Sequence, residues 1–273
     1  LRGCTGVCLA IVSGQTELDM IKAKQITIGY HAPLGLPFNL TLQSGHCHVI
    51  IGPNGSGKTT LFKTLIGLIK PQSGVITVNG SALNHLSTHA RAHLFAYVPQ
   101  SQQQPFPYTA EEMVLMGRTG RIKPFSVPGQ LDLKIVKEVM EHLEIGALAQ
   151  SQFTELSGGQ RQMTLIARAL AQEAQIIVLD EPTSSLDFGN EVRVLHTIER
   201  LTEQGLTVIV STHNPAHALQ LADTVTVVKN GSVSGFGLPR DILTAPALTD
   251  LYETPVRIID IDGLATCIAE PKA

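Results

Sequence analysis

The sequence predicts an α/β fold with a mainly parallel sheet and a block of helices inserted into it. From residue 43 onward, short runs rich in β-branched residues alternate with helical patterns, which is typical of strand–helix–strand units. Between about residues 83 and 172, apolar residues recur three and four positions apart, which predicts several helices in succession. Glycine and proline residues between positions 118 and 131 predict a loop between two of these helices.

The composition is that of a globular protein and excludes several other classes. Of the 273 residues, 43% are hydrophobic and 16% are charged, and the formal net charge is −3, which excludes disordered, collagen-like and coiled-coil chains. The apolar runs are shorter than the roughly 18 to 20 residues of a membrane-spanning helix. Without a basic block, we expect no sequence-independent binding of nucleic acid. Four cysteines are too few for a disulfide framework, which favours a reducing compartment.

The domain organisation is predicted from the residues at which the helical and strand periodicity begins and ends. The first nineteen residues show no helical or strand period, and a strongly patterned sequence starts at Met20. We therefore predict a disordered or non-native extension over residues 1–19, one folded domain over residues 20–265 and a short tail over residues 266–273. The helical block at about residues 83–172 is predicted as a subdomain inserted within this domain.

The elements follow in chain order from the alternation of the two periods. The predicted strands cover residues 48–51, 75–78, 96–98, 176–180, 207–211 and 225–229. The predicted helices cover residues 58–68, 111–117, 133–143 and 160–171.

A phosphate-binding loop is predicted directly after the strand 48–51. The pattern is a glycine, four residues and then Gly-Lys-Thr, formed by Gly52, Pro53, Asn54, Gly55, Ser56, Gly57, Lys58 and Thr59. Its glycines allow backbone N–H groups to surround a phosphate, and the helix that follows adds the positive end of its dipole. Lys58 can reach the β- and γ-phosphates, and the Thr59 hydroxyl can ligate Mg²⁺.

Two acids end the apolar strand 176–180. Asp180 would complete the magnesium shell through water, and Glu181 would lie where a hydrolytic water must be polarised. A strand that ends in Asp-Glu before a proline is also compatible with a simple turn. The two acids therefore indicate a nucleotide site only in combination with the phosphate loop earlier in the chain.

A second anion site is predicted far along the chain. Ser157 and Gln160 have the spacing of a capping box, so a helix should begin here, directly after Leu156. Gly158 and Gly159 would leave the first amides of that helix uncovered. The chain would then contain two phosphate-binding helix starts, separated by the helical block.

These motifs, in this order, resemble those of the nucleotide-binding subunits of ATP-binding-cassette (ABC) transporters. In that resemblance, Gly52 to Thr59 is the P-loop, with Thr60 after it, Leu156 to Gln160 is the signature, and Asp180 with Glu181 closes the Walker B strand. The resemblance adds four residues to the site, which are the adenine-stacking Tyr30, the Q-loop Gln100, the D-loop Asp187 and the switch histidine His213.

The resemblance implies a fold and an assembly. The fold is a P-loop NTPase (ABC ATPase) core with a mainly parallel sheet, an antiparallel β subdomain and an inserted helical subdomain. Two copies would form a head-to-tail homodimer, in which the signature of one subunit covers the γ-phosphate of the ATP on the P-loop of the other. Closure around ATP and reopening after hydrolysis would supply the mechanical stroke.

It also implies roles for individual residues. Glu181 would be the general base or would orient the water, and His213 would contact the γ-phosphate. Lys58 would hold the phosphates, and Gln100 would sense Mg²⁺ and transmit its state to the helical subdomain. The metal ligands would be Thr59, Gln100 and Asp180.

Segments around the motifs resemble the branch of importers for iron chelates, haem and cobalamin. These segments are residues 116–118, 217–223 and 251–257. The resemblance implies two separate integral-membrane permease subunits, a periplasmic or surface substrate-binding protein as an indirect partner, and no nucleic acid. It places the chain peripherally on the cytoplasmic face of a bacterial inner membrane, with the cargo left open.

Other interpretations are compatible with parts of the sequence. A soluble ABC ATPase acting on DNA, ribosomes or iron–sulfur assembly would share the motifs, and a small-molecule kinase would share the P-loop. His85, His89 and His93 recur every four residues, which on one helix would form a stripe able to chelate a metal, or simply a solvated face. No metal besides Mg²⁺ is predicted.

Overall fold

The computed structural model describes residues 19–100, 106–123 and 126–270. The extension predicted over residues 1–19 therefore lies outside the described residues, except that Asp19 begins the first strand. Residues 271–273 of the predicted tail also lie outside them.

The described strands and helices alternate along most of the chain. The strands are β1 (Asp19–Thr27), β2 (Phe38–Gln43), β3 (Cys47–Ile51), β4 (Ser73–Val78), β5 (Ser81–Ala82), β6 (Phe95–Val98), β7 (Ile176–Asp180), β8 (Thr207–Thr212), β9 (Thr224–Lys229), β10 (Ser232–Gly237), β11 (Val256–Ile261) and β12 (Leu264–Ala269). The α-helices are α1 (Lys58–Leu65), α2 (Thr88–Leu94), α3 (Ala110–Leu115), α4 (Gln130–His142), α5 (Gly158–Ala171), α6 (Phe188–Glu203), α7 (Pro215–Leu221), α8 (Pro239–Ile242) and α9 (Ala245–Tyr252).

A six-stranded, mainly parallel sheet forms the centre of the molecule. Its order is β10-β9-β3-β8-β7-β6, with every pairing parallel except β9–β10. All side chains of β3, β7 and β8 are buried, because helices or the second sheet cover both faces. Since the strands are parallel, the carboxyl ends of β3, β8, β7 and β6 lie side by side at one edge.

An antiparallel sheet of four strands, in the order β2-β1-β4-β5, covers one face of the central sheet. Residues of β1, β2 and β4 share a hydrophobic core with α1 and with one face of the central strands. Phe62 of α1 is completely buried in this core. The predicted combination of a mainly parallel sheet, an antiparallel β subdomain and inserted helices is confirmed.

The helical block contains α3, α4 and α5, which pack on one another. Within the predicted insertion of residues 83–172, β6 belongs to the central sheet and pairs with β7. The continuous helical part therefore begins at α3. Arg118, in a 3₁₀ turn after α3, is buried and joins the block through ion pairs to Asp132 and Glu173.

The chain continues past the boundary predicted at residue 265 as an ordered hairpin. β11 and β12 pair in antiparallel register, from Val256 opposite Ala269 to Ile261 opposite Leu264. A boundary at residue 265 would cut β12, so residues 266–269 belong to the fold. β12 packs against α7, which places the hairpin beside the central sheet.

In the described ranges, no helix combines the length and the apolar character needed to span a bilayer. The three histidines expected on one helical stripe are divided. His85 ends a separate 3₁₀ turn, whereas His89 and His93 lie on α2 with their Nε2 atoms 3.3 Å apart. His46 precedes β3, so it does not share that strand with His48.

Candidate functional site

The predicted phosphate-binding, catalytic and metal-binding residues lie at the carboxyl ends of four strands of the central sheet. The phosphate loop follows β3, and His213 follows β8. Asp180 is the last residue of β7 and Glu181 comes directly after it, whereas Gln100 lies two residues after β6. The sheet order β3-β8-β7-β6 makes these ends neighbours in space. Ligands of open parallel sheets bind at this edge.

The phosphate loop depends on glycines at positions where a side chain does not fit. A Cβ on Gly52 would lie 2.2 Å from the carbonyl oxygen of Val228 and 2.6 Å from Ser56 Oγ. Gly57, the N-cap of α1, has φ 108°, a left-handed conformation that favours glycine. The Gly231 N–H donates to the Ser56 carbonyl at 2.8 Å, which ties the loop to the turn after β9.

Lys58 is buried inside the curve of this loop. Its Nζ donates to the carbonyl oxygens of Gly52 at 2.8 Å and Pro53 at 3.1 Å, and lies 3.1 Å from Glu181 Oε1. The ammonium group is therefore held at the mouth of the loop, between backbone oxygens and a carboxylate. This position suits a cation that contacts phosphate oxygens.

Several hydroxyl groups converge on the carboxylate of Asp180 close to Lys58. The Thr59 hydroxyl donates to Asp180 Oδ2 at 2.8 Å, and the Tyr97 hydroxyl donates to the same oxygen at 3.2 Å. The Ser211 hydroxyl donates to Asp180 Oδ1 at 2.6 Å. Burial, followed by the charge of Asp180, raises the pKa of Tyr97, so its hydroxyl stays protonated as a donor.

The donor set fits a magnesium–phosphate group. Carboxylate and hydroxyl oxygens are ligands that Mg²⁺ prefers, and Thr59 and Asp180 supply one of each. Among the described residues, the buried Ser56 hydroxyl has no hydrogen-bond partner, although it lies in the phosphate loop. A buried hydroxyl without a partner costs free energy unless a ligand satisfies it.

Glu181 is the point at which the loops meet. Gln100 Nε2 donates to its Oε2 at 3.0 Å, and His213 Nδ1 lies 3.3 Å from the same oxygen. Its backbone has φ 48°, an uncommon conformation for a residue other than glycine, and its N–H donates to Ser211 Oγ at 2.8 Å. The sheet therefore holds this carboxylate at a strained turn, aimed into the space between the loops.

That space is a cleft of about 360 Å³. Its lining includes Asn54 of the phosphate loop, Gln100, Glu181, His213 and Ser185. The structure thus brings together the predicted catalytic residues Lys58, Gln100, Glu181 and His213 with the predicted metal ligands Thr59 and Asp180. Thr60 is buried on α1 and accepts a hydrogen bond from the Thr64 hydroxyl through its carbonyl.

The signature residues, at the start of α5, do not line this cleft. Gln160 N donates to Ser157 Oγ at 3.3 Å and Ser157 N donates to Gln160 Oε1 at 2.9 Å, which is the predicted capping box. Leu156 is buried, whereas Ser157 and Gly158 are exposed. The first positions of this helix are therefore exposed at the surface of the chain.

Two other predicted residues also lie at the surface. Tyr30 follows β1, is 55% exposed, and accepts a long hydrogen bond of 3.4 Å from Lys63 Nζ. Asp187 is the N-cap of α6, where Oδ1 accepts from Asn190 N at 2.9 Å and Oδ2 accepts from Asn190 Nδ2 at 2.8 Å. These bonds to the Asn190 backbone and side chain lower the pKa of Asp187.

Sequence reasoning missed two contributors to the site. These are Ser211, two residues before His213, and Tyr97, three residues before Gln100. Both reach Asp180, and Ser211 stands opposite Asp180 in the parallel pairing of β8 with β7. The signal that could have revealed Ser211 is a polar residue directly after the apolar run 208–210, near the carboxyl end of β8.

The family model that matches this chain and its similar proteins carry related descriptions. A family model described as ABC transporter matches residues 36–184, more than half of the chain. An uncharacterised ABC transporter ATP-binding protein of Haemophilus influenzae is 37% identical over 91% of this chain and 95% of its own. A molybdate import ATP-binding protein of the same species is 38% identical over 80% of this chain and 81% of its own. An iron(3+)-hydroxamate import ATP-binding protein of Bacillus subtilis is 31% identical over 89% and 91%, respectively.

Solved structures share the fold. An ABC transporter described as metal-chelate type, in an inward-facing conformation, superposes with a TM-score of 0.82 at 32% identity, over 93% of this chain and 97% of its own. An ATP-binding cassette in a dimeric post-hydrolysis state, bound to ADP and Pi, gives a TM-score of 0.71 at 29% identity, over 81% of this chain and 99% of its own.

Proposed function

The chain belongs to the ABC transporter family, and from this membership we propose that it is the ATP-hydrolysing subunit of a bacterial importer for a metal chelate or related metal oxyanion. Its activity is ATP hydrolysis coupled to transport. The observation that carries the residue-level proposal is the position of Glu181, whose carboxylate meets Lys58, Gln100 and His213.

The nucleotide would be held by the loop after β3. The backbone of residues 52–59 would surround the β- and γ-phosphates, with Lys58 as their cation and Ser56 as a further donor. Thr59 and Asp180, with Gln100 nearby, would hold Mg²⁺, which when bound neutralises charge on the phosphates. Tyr30 is exposed beyond the loop, where a base can stack on its ring.

Hydrolysis would depend on the carboxylate of Glu181. We expect it to accept a proton from the attacking water or to orient that water, which is the role of a positioned general base. His213 and Gln100 would hold this carboxylate and contact the γ-phosphate side of the cleft. Ser211, through the N–H of Glu181 and Oδ1 of Asp180, would keep the two acids in register.

The exposed start of α5 supports a head-to-tail homodimer. One chain has a phosphate loop with an open cleft and a separate, exposed helix start at Ser157 and Gly158. A second copy placed head to tail would bring its helix start over the first copy's cleft, so that two nucleotides are enclosed between two chains. The dimeric relative bound to ADP and Pi supports this arrangement.

The partners and cargo are proposed from the relatives. Two integral-membrane permease subunits would hold the chain at the cytoplasmic face of a bacterial inner membrane, and a substrate-binding protein would deliver the cargo to them. The permease contact would lie beside Gln100, where Phe106 is 60% exposed and contacts Tyr108. Pro105, which precedes Phe106 in the sequence, lies outside the described residues. The molybdate and iron(3+)-hydroxamate import proteins support a metal-containing cargo.

The central test is the substitution Glu181→Gln. Because the amide cannot accept a proton, we expect ATP hydrolysis to fall by about 10²–10⁴-fold while ATP binding persists. Bound ATP should then trap the dimer, which light scattering would detect as a doubled mass. Adding Ser157→Arg to this variant should abolish the dimer, because the arginine would obstruct the uncovered helix start.

The matched control is Glu203→Gln, the same change at an exposed position at the end of α6. This variant should hydrolyse ATP at the rate of the unmodified chain. Equal hydrolysis by Glu181→Gln and the unmodified chain would contradict the role of Glu181. An ATP-trapped dimer that persists with Ser157→Arg would contradict the head-to-tail arrangement.

A further inference from the structure

The carboxyl-terminal part of the described chain reaches the backbone of His213. Tyr252 is the last residue of α9, and its hydroxyl donates to the carbonyl oxygen of His213 at 2.7 Å. A carbonyl oxygen can only accept, so the phenol must be the donor. This contact joins a segment outside the motifs to the residue that lies 3.3 Å from the Glu181 carboxylate.

His213 occupies a junction where little else restrains its side chain. It lies between the end of β8 and Asn214, the N-cap of α7. Asn214 N donates to Thr212 Oγ1 at 3.0 Å, and Asn214 Oδ1 accepts from Ala216 N at 3.0 Å. The side chain of His213 is 51% exposed. Because packing does not enclose the imidazole, its direction depends on how the peptide at this junction is held.

Tyr252 is itself held firmly. Its ring is partly buried against the main hydrophobic core, together with Cys267 of β12. Burial first, then Cys267 and Glu181, raise its pKa, so the hydroxyl stays protonated across the physiological range. β12 also packs against α7, the helix that begins directly after the junction.

We propose that Tyr252 is a positioning residue for His213, which it aims at the Glu181 carboxylate through the backbone carbonyl. The proposal rests on the proposed function of His213 and Glu181 in ATP hydrolysis. Tyr252 does not touch the reacting atoms and is therefore not a catalytic residue.

The test is Tyr252→Phe in the full chain, with kcat and KM for ATP measured at saturating Mg²⁺. Misdirection of a catalytic group lowers the rate of the chemical step, so we expect kcat to fall about tenfold. KM should change little, because the phosphate loop is untouched. The melting temperature should also change little, since the freed carbonyl is close enough to the surface to bind water. An unchanged kcat would overturn the proposal.

The matched control is Thr249→Val, in the same helix. Thr249 Oγ1 accepts a hydrogen bond from Val256 N at 3.1 Å and so anchors the hairpin without touching His213. We expect this variant to retain its kcat. If both variants lower kcat equally, the carboxyl-terminal segment acts by general stabilisation, and the proposal is wrong.

A double-mutant cycle separates this proposal from the proposed function. If Tyr252 acts through His213, Tyr252→Phe should not slow single-turnover hydrolysis further in a His213→Ala background. Effects that multiply would overturn the positioning role. If neither His213→Ala nor Glu181→Gln slows hydrolysis, the proposed function fails instead, whatever Tyr252→Phe does.

Discussion

At the scale of single residues, the geometry of the site depends on the buried Ser211 as much as on Asp180 and Glu181. Ser211 is completely buried, and its hydroxyl links the carboxylate of Asp180 to the N–H of Glu181. The two acids are visible in the sequence because charged residues at the end of an apolar strand are unusual. Ser211 is not visible in the same way, because its importance arises only from the pairing of β7 with β8.

The serine gives a direct prediction. Ser211→Ala leaves a buried N–H and a carboxylate oxygen without this partner, so the free energy of unfolding should fall by about 1–3 kcal/mol. Because Glu181 loses its backbone anchor, kcat should fall as well. Urea denaturation and a steady-state ATPase assay would measure the two effects. Ser234→Ala, an exposed position on β10, should change neither; a stable and fully active Ser211→Ala would refute the linking role.

At the scale of elements, the two neighbouring glycines at the start of α5 differ in how closely α6 and the loop before it approach them. A Cβ on Gly159 would lie 2.0 Å from Asn190 Oδ1 and 2.7 Å from Asn190 Cβ, so α6 would have to move. A Cβ on Gly158 would meet only ordinary contacts, 3.5 Å from Leu186 Cδ2. Gly159 therefore serves the contact between two helices, whereas Gly158 keeps the exposed helix start open.

The two alanine substitutions should behave differently. Gly159→Ala should lower the free energy of unfolding by about 1–3 kcal/mol through overpacking. Gly158→Ala should preserve or slightly raise it, by up to about 1 kcal/mol, because alanine favours the helix. Thermal unfolding distinguishes these outcomes. In the Glu181→Gln background, Gly158→Ala should still weaken the ATP-trapped dimer; equal stability of the two variants would contradict the assignment.

A buried histidine joins three strands and makes their contact sensitive to pH. His48 Nε2 donates to the Gln43 carbonyl at the end of β2, and Nδ1 accepts from the Thr224 hydroxyl at the start of β9. Burial is the main reason that its pKa is lowered to about 4. Unfolded His48, with a pKa near 6.5, binds a proton that the folded protein resists.

The contribution of neutral His48 to the free energy of unfolding should therefore be fully present above about pH 6.5. It should decline as the pH falls toward 4, because the unfolded state binds the proton at a higher pH than the folded state. The loss attributable to His48 is of the order of 3 kcal/mol. Urea denaturation between pH 7.5 and pH 4.5 would measure it, with His48→Gln as the comparison. The substitution should flatten the slope in this window, and an identical slope in both proteins would contradict the assignment to His48.

Helices and strands could be predicted from the sequence where a few consecutive residues determine them. The start of α5 follows from Ser157 and Gln160, because a capping box involves only four consecutive positions. The hairpin of β11 and β12 was missed, although its signal is also local. Asp262 and Gly263 have φ of 52° and 87° and form a two-residue turn, which Asp-Gly between apolar runs predicts.

At the scale of the whole molecule, alternating periods were enough to predict the fold class but not the order of the strands. The neighbours of β3 are β8 and β9, far away in sequence, and no local pattern specifies that pairing. The meeting of Lys58, Gln100, Glu181 and His213 could be predicted only through the family resemblance. Their side-chain contacts required the structure.

The position of β3 between two late strands has a consequence for synthesis of the chain on the ribosome. β3 is complete at Ile51, but its second partner ends at Lys229, about 180 residues later. At roughly 5–20 residues per second, this interval lasts on the order of 10 to 40 s. Until β8 is complete at Thr212, a nascent strand whose five side chains are destined for burial has neither parallel partner, and until Lys229 it has only one. Because an unpaired apolar strand is prone to aggregation, we expect the growing chain to benefit from ribosome-associated chaperones until the sheet can close.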